Sequence, residues 1–176
     1  MNDINKIKTA VERSKKALAL KPALGKGTGS SKACITNGLT CEIQEDSWKF
    51  IADMPESVGG NSKGPTPGVY GRAALGSCLA IGYMMKAAEM NVVINHLEVE
   101  VRADYDDGAL LGTAEKNIPP GYLEVRYSVN IESDAPKEKI MQMLNEADAQ
   151  SPYLDVFSRA QNCTRKVNIV SPKTIA

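Results

Sequence analysis

A chain of 176 residues, 43% hydrophobic and 24% charged, suits one folded domain with a full core and excludes the disordered and fibrous classes. Its 21 basic residues balance 21 acidic ones, and no long basic run is interleaved with aromatics, so nothing predicts nucleic-acid binding. Charges run through the first twenty residues, which removes the apolar core a signal peptide needs, and a cytoplasmic protein is expected.

Residues 3 to 19 place Ile4, Ile7, Val11 and Ala17 among lysines, a helical stripe with a solvated opposite face. The following KPALGKGTGSS reads as a flexible linker, so residues 1–31 form an N-terminal helix and linker and residues 32–176 the main domain. Lys32 to Ile43 and Trp48 to Asp53 are strand-like, separated by the turn-prone QEDS. Asn37-Gly38 leaves two readings open. As a two-residue hairpin turn it would set Cys34 opposite Cys41, whereas a straight strand would hold them about 23 Å apart.

From Gly59 to Cys78 the chain reads GGNSKGPTPGVYGRAALGSC, a loop rich in glycine and proline that leads into an apolar helix. Thr66 can cap free backbone N–H groups, and Pro67 is tolerated at the first helical position, so the helix is predicted from Pro67 to about Met90. Its longest uncharged stretch, Ala73 to Met85, is too short to cross a membrane, which needs about 20 residues. Cys78 then lies about 16 Å along the axis, beyond the reach of the helix dipole, which fades within the first turn. Gly71, Ala74, Leu75, Ile81, Gly82 and Met85 share its face, and burial among them favours the neutral thiol. The plain reading of Cys78 is a small core hydrophobe. Arg72 lies about 120° around the helix and ~9 Å along it, so any cation on the sulfur must come from elsewhere.

Leu97, Val99, Val101 and Ala103 alternate with charged residues, as do Leu123, Val125, Tyr127, Val129 and Ile131 with polar ones, and the two strands should pair. Pro136 opens a helix with Ile140, Met143, Leu144 and Ala147 on one face, and Ser151-Pro152 opens another. A last strand is expected around Cys163 to Val170. The order gives an α+β domain, with helices against one face of an antiparallel sheet.

DMPESVGG, GPTP and AALGSC, between Asp53 and Cys78, resemble the OsmC/Ohr family of hydroperoxide-detoxifying proteins, and the order of later elements extends the likeness over roughly residues 32 to 170. The resemblance implies an OsmC-like fold and an intertwined homodimer around a long central helix. It also implies a reactive cysteine at Cys78 that reduces organic hydroperoxides. No cofactor, metal or membrane is implied. Thiolate attack on a peroxide yields a sulfenic acid that a second thiol must reduce.

Two family features are missing. Where typical members carry a helix-start glutamate that orients an arginine over the thiolate, this chain has Gly68. Where they carry a resolving cysteine before proline, it has Ser151-Pro152, and Ser151 reads as a helix cap. Cys163 could in principle substitute as the resolving thiol, an external thiol reductant could serve instead, and Arg13, Arg102, Arg126, Arg159 and Arg165 are the candidate cations. Three readings follow: a thiol peroxidase using Cys78, a dimeric protein binding a small apolar ligand beside the helix, and a catalytically silent homologue. The stripe Gly71, Ala74, Cys78 and Gly82 suits close approach of a second helix. The GGNSKGPTPG loop superficially suggests a phosphate cradle, but Pro65 and Pro67 remove N–H donors. His96, the one histidine, lacks the cysteine neighbours of a zinc site. The four cysteines lack CxxC spacing, so no disulfide framework is expected.

Overall fold

A computed structural model describes residues 4–170. The N-terminal stripe forms α1 (Ile4–Leu20), followed by a 3-10 turn at Pro22–Gly25. Three strands come next: β1 (Lys32–Cys34), β2 (Cys41–Glu45) and β3 (Trp48–Ala52), antiparallel in that order. The long helix α2 (Pro67–Glu89) starts and stops where the sequence predicts. Thr66 differs in one respect. Its side chain makes no capping bond, and its carbonyl instead accepts from the N–H groups of Val69 and Tyr70.

The hairpin reading of Asn37-Gly38 is the one observed, with a register offset by one residue. Cys34 stands opposite Glu42, and Cys41 opposite Ala52. Because side chains alternate along a strand, that single step sends Cys34 and Cys41 to opposite faces. The connection is wider than two residues, and Gly38 turns within it at φ +63°.

β4 (His96–Asp104) and β5 (Glu124–Glu132) pair along their full length, Leu97 facing Ile131 and Val99 facing Val129. The sheet expected from the sequence is therefore two sheets, β1-β2-β3 and β4-β5. Between β4 and β5 lies the short α3 (Asp107–Leu111), which the sequence pattern did not predict. Asp106 caps it by accepting from the N–H of Gly108, and Gly112 ends it at φ +75°. α4 (Lys137–Asp148) has Pro136 as its cap, and α5 (Pro152–Ser158) is capped by Ser151. The expected final strand is absent from the described residues: 161–170 are exposed and form no ladder. Val167, Ile169 and Val170 carry the apolar pattern of a strand without a partner to hydrogen-bond.

Leu75, Leu79, Tyr83 and Ala87 of α2 bury one face of that helix against Met143 and Ala147 of α4, Val92, and the inner side chains of β4 and β5. At about 25 cal/mol per Å² of apolar surface removed from water, each large side chain here stabilises the fold by roughly 2 kcal/mol. α1 packs on α2, where Lys15 pairs with Glu89 and Lys8 donates to Asn91 at 2.9 Å. Lys86, buried on α2, is neutralised by Glu89 at 3.2 Å and Glu146 of α4 at 3.5 Å. No helix among the described residues is long and apolar enough to cross a membrane.

Candidate functional site

Asp53 follows β3 and is 1% exposed. Burial alone would raise its pKa, but four hydrogen bonds outweigh that and hold the carboxyl below its usual value of 3.8. The Thr40 hydroxyl donates to it at 2.8 Å, and the backbone N–H groups of Met54, Lys63 and Asn61 donate at 2.8, 3.3 and 3.4 Å. The glycine-rich loop thus does gather N–H donors around an anion, and that anion is the chain's own carboxylate. The Tyr70 hydroxyl adds a bond to the Ile51 carbonyl at 2.7 Å, tying the start of α2 to β3. Gly60 passes so close to Met54 that a Cβ there would lie 1.8 Å from its carbonyl oxygen.

Cys78 is half-buried at mid-helix. Its Sγ lies 3.6 Å from Oγ of Ser151, 73 residues later in the chain. Ser151 is itself buried, and as the cap of α5 its Oγ accepts from the N–H of Leu154 at 3.3 Å. The capping role read from the sequence is therefore present, together with a contact to the thiol that the sequence did not reveal.

Three of the candidate arginines are engaged elsewhere: Arg102 with Glu100, Arg126 with Asp104 and Glu124, and Arg159 with Asp155. Cys163 is exposed, and among the described residues no hydrogen bond joins it to Cys78. Arg72 points toward the helix start, as long helical side chains do. Its Nη1 reaches the Tyr122 hydroxyl at 3.5 Å, and that hydroxyl donates to the Gly68 carbonyl at 2.9 Å. A Cβ at Gly68 would lie 3.4 Å from Arg72 Nη1, so the position lacking the carboxylate borders a guanidinium.

Sequence reasoning missed a second group, at the end of α4. Asp148 closes α4, where the helix dipole disfavours a negative charge. The hydroxyls of Tyr83 and Tyr127 both donate to its carboxylate, at 2.6 and 3.0 Å. Burial, and then Asp148, push both tyrosines above the ordinary tyrosine range. The Asp148 carbonyl also accepts from the N–H of Ser151 at 3.1 Å, so the clamp fixes the corner that presents Ser151. An acid ending a helix was the signal available in the sequence.

The fold also holds two cavities. A cleft of about 550 Å³ between the first sheet and the start of α2 is lined by apolar side chains, among them Ile43, Phe50 and Tyr70, with the Cys41 thiol in its wall. A smaller one of about 280 Å³ is lined by Leu75, Leu154, and the stacked rings of Tyr122 and Phe157. Among the described residues no cluster of metal-ligating side chains exists, and His96 is an exposed residue at the start of β4.

The fold is similar to that of several solved proteins. An OsmC-like protein from Mycoplasma pneumoniae aligns with TM-score 0.64 at 16% identity, over 75% of this chain and 88% of that one. An organic hydroperoxide resistance protein OsmC from Legionella pneumophila aligns with TM-score 0.56 at 16% identity, over 75% and 90%. An organic hydroperoxide resistance protein from Elizabethkingia anophelis gives 0.58 at 16% identity, over 76% and 89%. Among curated proteins no sequence match is found. The family model of the OsmC-like proteins matches residues 59–166, which is more than half the chain and includes Gly68, Cys78 and Ser151, and the chain belongs to that family.

Proposed function

We propose that this chain reduces organic hydroperoxides through Cys78, as a cytoplasmic homodimer that relies on an external thiol because it has no resolving cysteine at position 151. One observation carries the reading. Cys78 and Ser151, the positions that correspond to the family's reactive and resolving cysteines, stand 3.6 Å apart. The names of the Legionella and Elizabethkingia neighbours agree with it.

In the first step the Cys78 thiolate attacks the outer peroxide oxygen. The O–O bond breaks, sulfur is oxidised by two electrons to the sulfenic acid, and the alkoxide leaves to take up a proton as the alcohol. An external thiol then displaces water from the sulfenic acid to give a mixed disulfide. A second external thiol releases Cys78 as the thiol and departs as the oxidised reductant. Ala73, Ser77, Ile81 and Met85 form an exposed stripe on α2 that a second copy would cover.

The test is mass spectrometry of the protein titrated with cumene hydroperoxide, comparing wild type with Cys78→Ser. The expected result is rapid sulfenic acid formation confined to Cys78, and mixed disulfide when a small thiol is added. Oxidation of Cys78 no faster than of exposed Cys34 would sink the reading. A second reading, binding of a small apolar molecule without turnover, is favoured by the apolar cleft of about 550 Å³, within the range of small-molecule sites.

A further inference from the structure

We infer that Ser151 is a catalytic residue of this chain: its hydroxyl donates a hydrogen bond to the Cys78 sulfur and stabilises the thiolate. The inference rests on the reading of Cys78 as the reacting thiol.

The argument starts from the proton of Ser151. The side chain is buried at 8% exposure, and its oxygen already accepts from the N–H of Leu154. A buried hydroxyl proton without an acceptor is costly. The acceptor in reach is Sγ of Cys78 at 3.6 Å, an ordinary distance for a bond to sulfur. Between a neutral thiol and a hydroxyl either group can donate, and the bond is weak. Once Cys78 ionises, its sulfur can only accept, so the hydroxyl must be the donor and the bond becomes charge-assisted. The contact therefore favours the thiolate over the thiol.

The geometry is held rather than incidental. Ser151 sits three residues after Asp148, whose carboxylate is gripped by Tyr83 of α2 and Tyr127 of β5. Tyr83 is five residues beyond Cys78 on the same helix, so one clamp references the serine to the helix that carries the sulfur. Of the charged groups on the packed elements, Lys86 pairs with Glu89 and Glu146, and Asp155 with Arg159. Among the described residues Ser151 is the hydrogen-bond partner of Cys78. The same bond remains available to the sulfenate oxygen or sulfur after oxidation. A serine here thus supports the first step of the reaction and leaves the second to an external thiol.

The experiment is the alkylation rate of Cys78 by iodoacetamide in the full chain, mapped by mass spectrometry at pH 7 and pH 10. It compares wild type with Ser151→Ala, Ser151→Gly and Ser151→Thr. Glycine is nearly as good a helix cap as serine, so Ser151→Gly removes the hydroxyl while keeping α5, and a thermal melt of each variant checks the fold. The expected result is a rate about fivefold lower at pH 7 in the alanine and glycine variants, the worth of one net hydrogen bond. The difference should narrow at pH 10, and threonine should restore the wild-type rate. Wild-type rates at pH 7 in both hydroxyl-free variants would overturn the inference. So would an equal loss at both pH values, which would mark a change of access. No hydroperoxide is used, so a chain that fails to reduce cumene hydroperoxide yet shows this pattern would lose the peroxidase reading and keep the hydrogen bond.

Discussion

The Tyr83 hydroxyl donates to Asp148 at 2.6 Å, joining the middle of α2 to the last residue of α4 across the core. Tyr83→Phe removes one of two donors from a carboxylate already opposed by its helix dipole, and should lower stability by about 1–3 kcal/mol in urea unfolding. Asp148→Asn, which keeps the shape and removes the charge, should cost less. The pH dependence has a defined sign. The folded pKa of Tyr83 is raised above the ordinary 10.0, so its contribution is complete below that value and declines as pH rises beyond it. Tyr83→Phe should flatten that alkaline decline.

Asp53 predicts the opposite limb. Its folded pKa lies below 3.8, so its stabilising effect is present above that pH and is lost as pH falls toward and through the folded value. Urea midpoints measured from pH 7 to pH 3 should drop steeply at the acid end in wild type. Asp53→Asn should be less stable at pH 7 and show a shallower acid decline. Parallel curves would refute this account of the loop.

Ser151→Cys should restore a resolving thiol. With Sγ and Oγ now 3.6 Å apart, a sulfur at position 151 needs only a small shift to bond with Cys78. One equivalent of cumene hydroperoxide should give a disulfide between Cys78 and the new thiol, seen as loss of two hydrogens in the intact mass. Persistence of the sulfenic acid would show that the corner is too rigid to close.

Gly60→Ala should destabilise by about 2 kcal/mol or more, because the new methyl meets the Met54 carbonyl rather than a flexible side chain. Gly82→Ala, where a Cβ meets nothing within 4 Å, should instead gain up to about 1 kcal/mol from helix propensity in an isolated chain. Thermal melts of the two variants separate the cases.

Ile81→Asp tests the proposed pairing of α2 with its copy. Ile81 is 61% exposed, so an isolated chain should tolerate the aspartate, whereas a dimer closed over that stripe should dissociate. Light scattering after size exclusion should show wild type at twice the chain mass and the variant at once.

What the sequence made legible was whatever local physics decides. The bounds and period of α2, the alternation of β4 and β5 and the cap at Ser151 all depend on neighbours within a turn or a rung. The hairpin register escaped, since it depends on a turn wider than Asn37-Gly38 suggests. α3 is too short to carry a period and is set by Asp106 and Gly112. Residues 163–170 have a strand's pattern, but a ladder needs a partner that pattern does not supply. Cys78 could be singled out, while its contact with Ser151 and the Asp148 clamp join residues 21 to 73 positions apart.

The register of the first hairpin also decides what surrounds each of its two thiols. With Cys34 turned outward and Cys41 set in the wall of the apolar cleft, the strand pair works as a partition between two chemical compartments. One sulfur faces water and the other an apolar wall, so the two thiols of one hairpin sit in different surroundings and share no bond.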